Sequence, residues 1–177
     1  NLSAEQILDQ VRHITAQNPG LDMNSHPKVK IHFARIGEPS LNPEVLKALR
    51  LLAGEFPGPG VIASLSTVAP QSPAVEPFFE ELIQIKNALY PGGKFQLQFS
   101  LHATDEKKRT EIVPIKKWSL ERVSRYSRRF VGPGDRKITL NFALAPGETL
   151  DEEVLARVFD PKKLMVKITP VKPTTIA

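Results

Sequence analysis

The chain has 177 residues, of which 41% are hydrophobic and 24% charged, a composition typical of one globular domain and not of a disordered chain. No apolar run approaches the roughly 18 to 20 residues of a membrane span, so we expect a soluble, cytoplasmic protein with no membrane contact. The sequence contains no cysteine, which excludes disulfides, thiolate metal sites and cysteine nucleophiles for these residues. A net charge of +5 and a pI near 9.5 suit a polyanionic partner, although a mild excess of basic residues is also common on surfaces that bind nothing.

The first two predicted elements are a helix and a strand. Residues 3–17 have helical spacing, with a capping box between Ser3 and Gln6 and one apolar face formed by Ile7, Val11 and Ile14. Residues 29–33 alternate apolar and polar side chains, which indicates a strand, and this strand runs into the turn "GEP".

The remaining elements alternate in the same way. A helix follows "GEP", with Asn42 as its N-cap and Pro43 at its first helical position. The further predicted strands are "VIASLSTV", "KFQLQFSLH", "KITLNFAL" and "KLMVKITP". Three helices are predicted between them: one that carries Phe79, Leu82, Ile83 and Leu89, one over about 119–130 that follows a loop, and one from a capping box of Thr149 and Glu152 to near Phe159.

Strands that alternate with helices indicate parallel βα units, either in an open doubly wound sheet or in part of a βα barrel. Because the series opens on a helix, we expect the first strand of the repeat to lie upstream of residue 1. The strand at residues 29–33 should then form an edge of the sheet, an element that invites pairing with another chain.

Polar residues occupy the carboxyl ends of the predicted strands, where ligand sites of parallel α/β proteins form. Glu38 could accept hydrogen bonds from an ammonium group, or it could pair with a local lysine or cap the following helix, and the spacing favours neither. Ser66 and Ser100 suit a turn or a helix N-terminus as well as a ligand. His102 could be a base or a metal ligand, but a structural histidine is the more frequent case.

Four segments are specific enough to compare with a known family. "NLSAEQILDQV", "IGEPSLNPEVLKALRLL", "SLSTVAP" and "SLHATDEKKRTEIVPIKKWSLERV" together resemble the radical SAM methyltransferases that methylate a ring carbon of adenosine in ribosomal and transfer RNA. The resemblance implies a partial (βα)6 barrel, with S-adenosylmethionine and a [4Fe–4S] cluster at the carboxyl ends of the strands. Residues 1–177 would then be a single partial-barrel domain, truncated at both ends, that lacks the first strand and the C-x-x-x-C-x-x-C cluster loop.

The same resemblance implies roles for individual residues. Gly37 and Glu38 match the family residues that contact the amino group of S-adenosylmethionine. Further cofactor contacts are implied for Ser66, Ser100, Leu101 and His102. No catalytic residue and no metal ligand is implied within these 177 residues, and the cluster would be present only in the full-length protein.

The sequence departs from the family pattern at two places. Arg35 and Ile36 stand where relatives of the ribosomal RNA enzyme have methionine and glycine before "GEP". Lys172 stands at the position of an asparagine that contacts the cofactor, and because lysine cannot accept a hydrogen bond, that contact must be lost or remade.

Residues 107–137 are strongly basic, and RNA phosphates would favour such a field. Lys116 and Lys117 lie nearest a strand end and are the better candidates for an RNA contact. Arg122, Arg125 and Arg129 share a helix face that would ordinarily point to solvent.

Two functions are consistent with these observations. The first is the S-adenosylmethionine-binding core of a radical SAM methyltransferase acting on RNA, inactive without its cluster loop. The alternative is a non-catalytic RNA-binding barrel remnant without an iron–sulfur cluster.

Overall fold

The computed structural model describes residues 1–34 and 37–171. These residues form six α-helices, a single-turn 3₁₀ helix and five β-strands. In chain order they are α1 (Ala4–Gln17), β1 (Val29–Phe33), the 3₁₀ helix (Pro39–Leu41), α2 (Glu44–Glu55), β2 (Val61–Thr67), α3 (Val75–Leu89), β3 (Phe95–Ser100), α4 (Glu106–Ile112), α5 (Leu120–Phe130), β4 (Ile138–Leu144), α6 (Glu152–Val158) and β5 (Leu164–Pro170).

The five strands form one parallel sheet in the order β1-β2-β3-β4-β5. The predicted parallel α/β architecture is therefore confirmed, whereas a six-unit barrel stays a prediction. As expected, β1 is an edge strand of this sheet. None of the described helices is both long and apolar enough to cross a bilayer.

The core lies on one face of the sheet. Strand residues of one parity pack there against the apolar sides of α1, α2, α3 and α5, because successive strand side chains point to opposite faces. The centre of β3 shows this clearly, since Leu97 and Phe99 are fully buried. Phe99 lies beside Phe79, Trp118 and Tyr126, whose ring centroids are 5.9 to 6.2 Å away from its own.

The strand residues of the other parity form a second face, which we call the open face because none of them belongs to the core cluster. Its members are mostly polar: Lys30, His32, Ile62, Ser64, Ser66, Gln96, Gln98, Ser100, Thr139, Asn141, Ala143, Met165, Lys167 and Thr169. Polar side chains bond across neighbouring strands here, as in the 3.0 Å contact from Gln96 Nε2 to Thr139 Oγ1. Parallel sheets are normally covered on both faces, so a polar face of this extent suits a ligand site.

One ion pair is buried within the helical layer. The Lys86 ammonium of α3 pairs with the Asp135 carboxylate, and their side chains are only 3% and 9% exposed. Lys86 Nζ also lies 5.1 Å from the centroid of the Phe130 ring, and Asp135 accepts a 2.8 Å hydrogen bond from the Gly132 backbone N–H. The pair thus joins α3 to the turn between α5 and β4.

Two predicted helix starts are wrong in detail. The last helix is capped by Asp151, whose carboxylate accepts from Val154 N, so Thr149 and Glu152 form no capping box. At α2 the cap position is Pro43, one residue later than predicted, and no side chain caps the helix there. The Asn42 side chain accepts a hydrogen bond from Glu44 N. The box of Ser3 and Gln6 is confirmed.

Candidate functional site

The candidate site begins at the turn after β1. Gly37 has a φ of +75°, a left-handed conformation that residues with a Cβ rarely adopt, while the space where a Cβ would lie is empty. The glycine is therefore required by the backbone and not by crowding. The turn brings Glu38 to the start of the 3₁₀ helix, beside the carboxyl end of β2.

The Glu38 carboxylate is bound by two neighbouring segments. Its Oε1 accepts from Ser40 N at 3.1 Å, from Ser40 Oγ at 2.6 Å and from Thr67 Oγ1 at 2.5 Å. Its Oε2 accepts one hydrogen bond among the described residues, from Val68 N at 3.0 Å. Glu38 is thus the cap of the 3₁₀ helix, one of the alternatives open at the sequence level, and it also fastens that helix to β2.

Ser66 lies on the open face and directly precedes Thr67, whose hydroxyl donates a hydrogen bond to Glu38. Its hydroxyl is 2.8 Å from Nε2 of His32 on the edge strand β1. The sequence had given His32 no role. Its place in the alternation of β1, at the parity opposite to Val29 and Ile31, is the signal that puts it on the open face.

Ser100 is the last residue of β3, and Leu101 and His102 follow it directly. Ser100 lies beside Asn141 of β4 on the open face, two residues beyond the partner of Ser66 on β3. Leu101 is 1% exposed and its side chain belongs to the core, so only its backbone faces the strand end. His102 has a φ of +67°, and the N–H groups of Leu101 and His102 both point to the Asn141 carbonyl, at 2.9 and 3.4 Å.

The His102 imidazole is kept neutral by its surroundings. Burial lowers its pKa below the ordinary 6.5, and the positive charges of Arg109 and Lys117 lower it further. A neutral ring retains one nitrogen that accepts a hydrogen bond. His102 is therefore suited to receive a hydrogen bond from a ligand at this strand end.

Arg109 and Lys117 are structural in this arrangement. Arg109 is fully buried; its guanidinium binds Glu106 at 2.6 Å and the Trp118 carbonyl at 3.0 Å. Lys117 Nζ donates to the carbonyls of Val113 and Ile115 at 2.7 and 3.1 Å. Arg109 therefore adds nothing to a basic surface, and Lys117 has little capacity left for an RNA phosphate.

Lys116 is the more accessible of the two predicted RNA-contacting lysines. Its side chain is exposed, while its backbone carbonyl accepts from Gln71 N at 2.8 Å and so fixes the segment across the β2–α3 loop.

Two of the three arginines on the basic face of α5 form ion pairs with glutamates of α3. Arg122 pairs with Glu76 and Arg129 pairs with Glu80, so acidic residues of one helix match basic residues of the next. Arg122 also stacks its guanidinium 4.6 Å from the Trp118 ring centroid. Within the described part of the chain, Arg125 lies in no ion pair and remains exposed.

Several of the predicted cofactor residues thus come together. Gly37, Glu38 and Ser66 lie at adjoining strand ends, and Ser100 lies on the same face one strand further along. Gly37 and Glu38 also line one end of a groove of about 700 Å³ that runs between α1 and the edge of β1. Arg35, Ile36 and Lys172, at which the sequence departs from the family pattern, lie outside the described residues.

No metal-binding group is formed by the residues described. Across 1–34 and 37–171, no three histidine, aspartate or glutamate side chains meet in a way that could hold an ion.

Comparison with known proteins gives consistent relatives. The chain is 28% identical over 162 residues to a "Probable dual-specificity RNA methyltransferase RlmN" from Treponema denticola, covering 90% of this chain and 42% of that protein. Proteins of the same name are 28% identical over 190 residues in Thermobifida fusca and 29% identical over 184 residues in Thermotoga sp.; each alignment covers 98% of this chain and 48% of the relative. The chain therefore spans less than half the length of the curated relatives that it matches.

No family model matches the chain. No solved structure matches it either. The resemblance found in the motifs is nevertheless confirmed, since over nearly its whole length the chain is similar to RNA methyltransferases named RlmN.

Proposed function

We propose that this chain is the S-adenosylmethionine-binding core of a radical SAM methyltransferase that modifies a ring carbon of adenosine in RNA. The proposal rests on a single observation, the binding of the Glu38 carboxylate at the end of β2, where Thr67 Oγ1 and Val68 N donate hydrogen bonds to it. Ser66 and Ser100 lie at the ends of β2 and β3 beside this carboxylate. The names of the relatives support the reaction class and the RNA substrate.

The Glu38 carboxylate fits the ammonium group of the cofactor. Each oxygen of a carboxylate has two lone pairs and can accept at least two hydrogen bonds. Oε1 already accepts three hydrogen bonds, whereas Oε2 accepts only the one from Val68 N in the described structure. Oε2 therefore has a lone pair available for a charge-assisted bond, and its carboxylate is held rigidly by Ser40 and Thr67.

The other strand ends offer neutral groups that could orient the cofactor. The Ser66 hydroxyl is held by His32, and the neutral His102 ring can accept a hydrogen bond from a hydroxyl. The cofactor, when bound and reduced, supplies the radical chemistry, while these side chains bind it and fix its orientation.

The iron–sulfur cluster does not fit the residues of this chain. Such clusters are held by cysteine thiolates, and the 177 residues contain none. We assign the cluster to the full-length protein alone, and no step by these residues depends on it.

Substitution of Glu38 tests the proposal directly. In Glu38→Gln the amide oxygen can keep Ser40 and Thr67, but the amide nitrogen then takes the place of Oε2 and can accept neither from an ammonium nor from Val68 N. We expect S-adenosylmethionine binding to the full-length protein to weaken by about 1.5 to 3 kcal/mol, measured by calorimetry. Unchanged affinity would remove Glu38 from the site.

Two controls separate binding from folding. Glu81→Gln alters an exposed carboxylate on α3 that pairs with Arg50, and it should leave the affinity unchanged. Thr67→Val removes one donor to Glu38 but keeps the carboxylate, so it should weaken binding less than Glu38→Gln does. If Thr67→Val weakened binding as much, Glu38 would act only by holding the turn.

A further inference from the structure

Asn141 of β4 is bonded to both of the elements beside it. Its backbone carbonyl accepts hydrogen bonds from the N–H groups of Leu101 and His102, just past the end of β3, at 2.9 and 3.4 Å. Its side-chain Oδ1 accepts from the Thr169 hydroxyl of β5 at 2.8 Å. The main chain and the side chain of Asn141 are thus both held in place, and the side chain lies on the open face.

The amide nitrogen of Asn141 still has both of its donors available. A side-chain amide has one acceptor oxygen and two N–H donors on its nitrogen. Oδ1 accepts from Thr169, whereas Nδ2 makes no hydrogen bond to any of residues 1–34 and 37–171. Because Oδ1 is directed towards β5, Nδ2 lies on the side of the amide away from Thr169. A half-buried side chain therefore presents two oriented donors on the open face.

Asn141 lies in one row with the proposed cofactor contacts. Ser100 is its register partner on β3, and Val68 is level with Ser100, since each follows the last paired residues of β2 and β3. Val68 N is the donor that binds Oε2 of Glu38 at 3.0 Å. Neighbouring strands are about 4.8 Å apart, so Asn141 lies about 10 Å across the sheet from the Glu38 end of the row. A ligand whose ammonium group binds Glu38 therefore meets Asn141 with a part that is distant from the ammonium.

We propose that Asn141 is a further cofactor-binding residue, whose Nδ2 donates a hydrogen bond to the nucleoside part of S-adenosylmethionine. This inference rests on the proposed function. The amino and carboxyl groups of the cofactor share one carbon atom, whereas the nucleoside is joined to that carbon through the side chain and the sulfur. The nucleoside is therefore the part that extends along the row, and its ring nitrogens and ribose oxygens are hydrogen-bond acceptors. The Ser100 hydroxyl lies beside Asn141 and can bind the same part of the cofactor.

Calorimetry on the full-length protein, with S-adenosylmethionine and with adenosine as separate ligands, tests the proposal without any measurement of activity. Asn141→Ala removes the amide but keeps the backbone carbonyl that binds the end of β3. We expect this variant to bind both ligands about tenfold more weakly, through the loss of one hydrogen bond. Asn87→Ala removes an amide from the exposed surface of α3 and should leave both affinities within twofold.

Thr169→Val separates a direct contact from a role in strand pairing. This substitution breaks the same 2.8 Å bond between β4 and β5 but keeps Nδ2 of Asn141. It should therefore weaken the binding of both ligands clearly less than Asn141→Ala does. Equal losses in the two variants would show that Asn141 only joins the strands, and would overturn the proposal.

Glu38→Gln separates this inference from the proposed function. Adenosine has no ammonium group, so this variant should lose affinity for S-adenosylmethionine and keep its affinity for adenosine. If Glu38→Gln weakens the binding of S-adenosylmethionine while Asn141→Ala changes neither affinity, the proposed function stands and the Asn141 contact is refuted. If the unaltered protein binds neither ligand, both are refuted.

Discussion

Removal of Asp135 should destabilise the protein severely, because it leaves the Lys86 ammonium buried without a counter-ion. Lys86 has a side chain 3% exposed, and loss of one partner of such a pair costs about 3–5 kcal/mol. For a chain of this length each kcal/mol lowers the melting temperature by about 2–4 °C, so Asp135→Ala should lower it by roughly 6 to 20 °C. The Phe130 ring near the ammonium compensates only in part, since a cation–π contact contributes about 0.5 to 2 kcal/mol.

A second substitution, Lys86→Met, should change the stability in opposite directions in the wild type and in the Asp135→Ala variant. Lys86→Met keeps most of the apolar stem but removes the charge, so alone it should cost about 2–4 kcal/mol, less than Asp135→Ala, because Asp135 retains the Gly132 N–H. In the Asp135→Ala background the same substitution should instead stabilise the protein, because it removes the uncompensated charge.

A double-mutant cycle by urea denaturation, with unchanged m-values, measures this coupling. Glu81→Ala at the exposed pair with Arg50 is the control and should cost less than about 1 kcal/mol. If Lys86→Met destabilised the wild type and the Asp135→Ala variant equally, the two side chains would not be coupled and the reasoning would be refuted.

Three further predictions concern the strand ends and the composition. Because the folded-state pKa of His102 is depressed, the unfolded chain takes up a proton first; below pH 6.5 the wild type should lose stability relative to His102→Gln, and parallel stability curves would contradict this. If Lys116 and Lys117 contact RNA, replacing both with alanine should reduce the slope of log K for RNA binding against log salt concentration by about one to two units. An unchanged slope would show that neither lysine contacts RNA. Anaerobic reconstitution with iron and sulfide should load no cluster onto these 177 residues, because they contain no cysteine, and stoichiometric iron–sulfur absorbance would contradict this prediction.

The strands follow well from the sequence, and so does the place of the candidate residues at the strand ends. Period-two alternation in β1 and β3 identified strands, and the rule that ligands bind beyond the carboxyl ends of parallel strands directed attention to Glu38, Ser66 and Ser100. These features depend on patterns within a few residues, which are visible in a single chain.

Other features depend on partners far along the sequence. Glu38 is held by Thr67, 29 residues away, so its local spacing could not distinguish a cap from a ligand. In the sequence Arg109 belongs to a strongly basic segment and is expected at the surface, but it is fully buried. Glu106 and the Trp118 carbonyl bind its guanidinium there. Helix α4 was expected to be loop, since seven residues are too few for a helical period to be recognised.

The strand order has a consequence for how the molecule comes apart. Because the spatial order of the sheet is also its order along the chain, each strand pairs only with strands that are adjacent in sequence. Stability in such an arrangement is approximately a sum over neighbouring units, as in repeat proteins. Strand β3 has two strands on either side, whereas β1 and β5 have a single partner each, so the chain can open one unit at a time from either end while the centre persists.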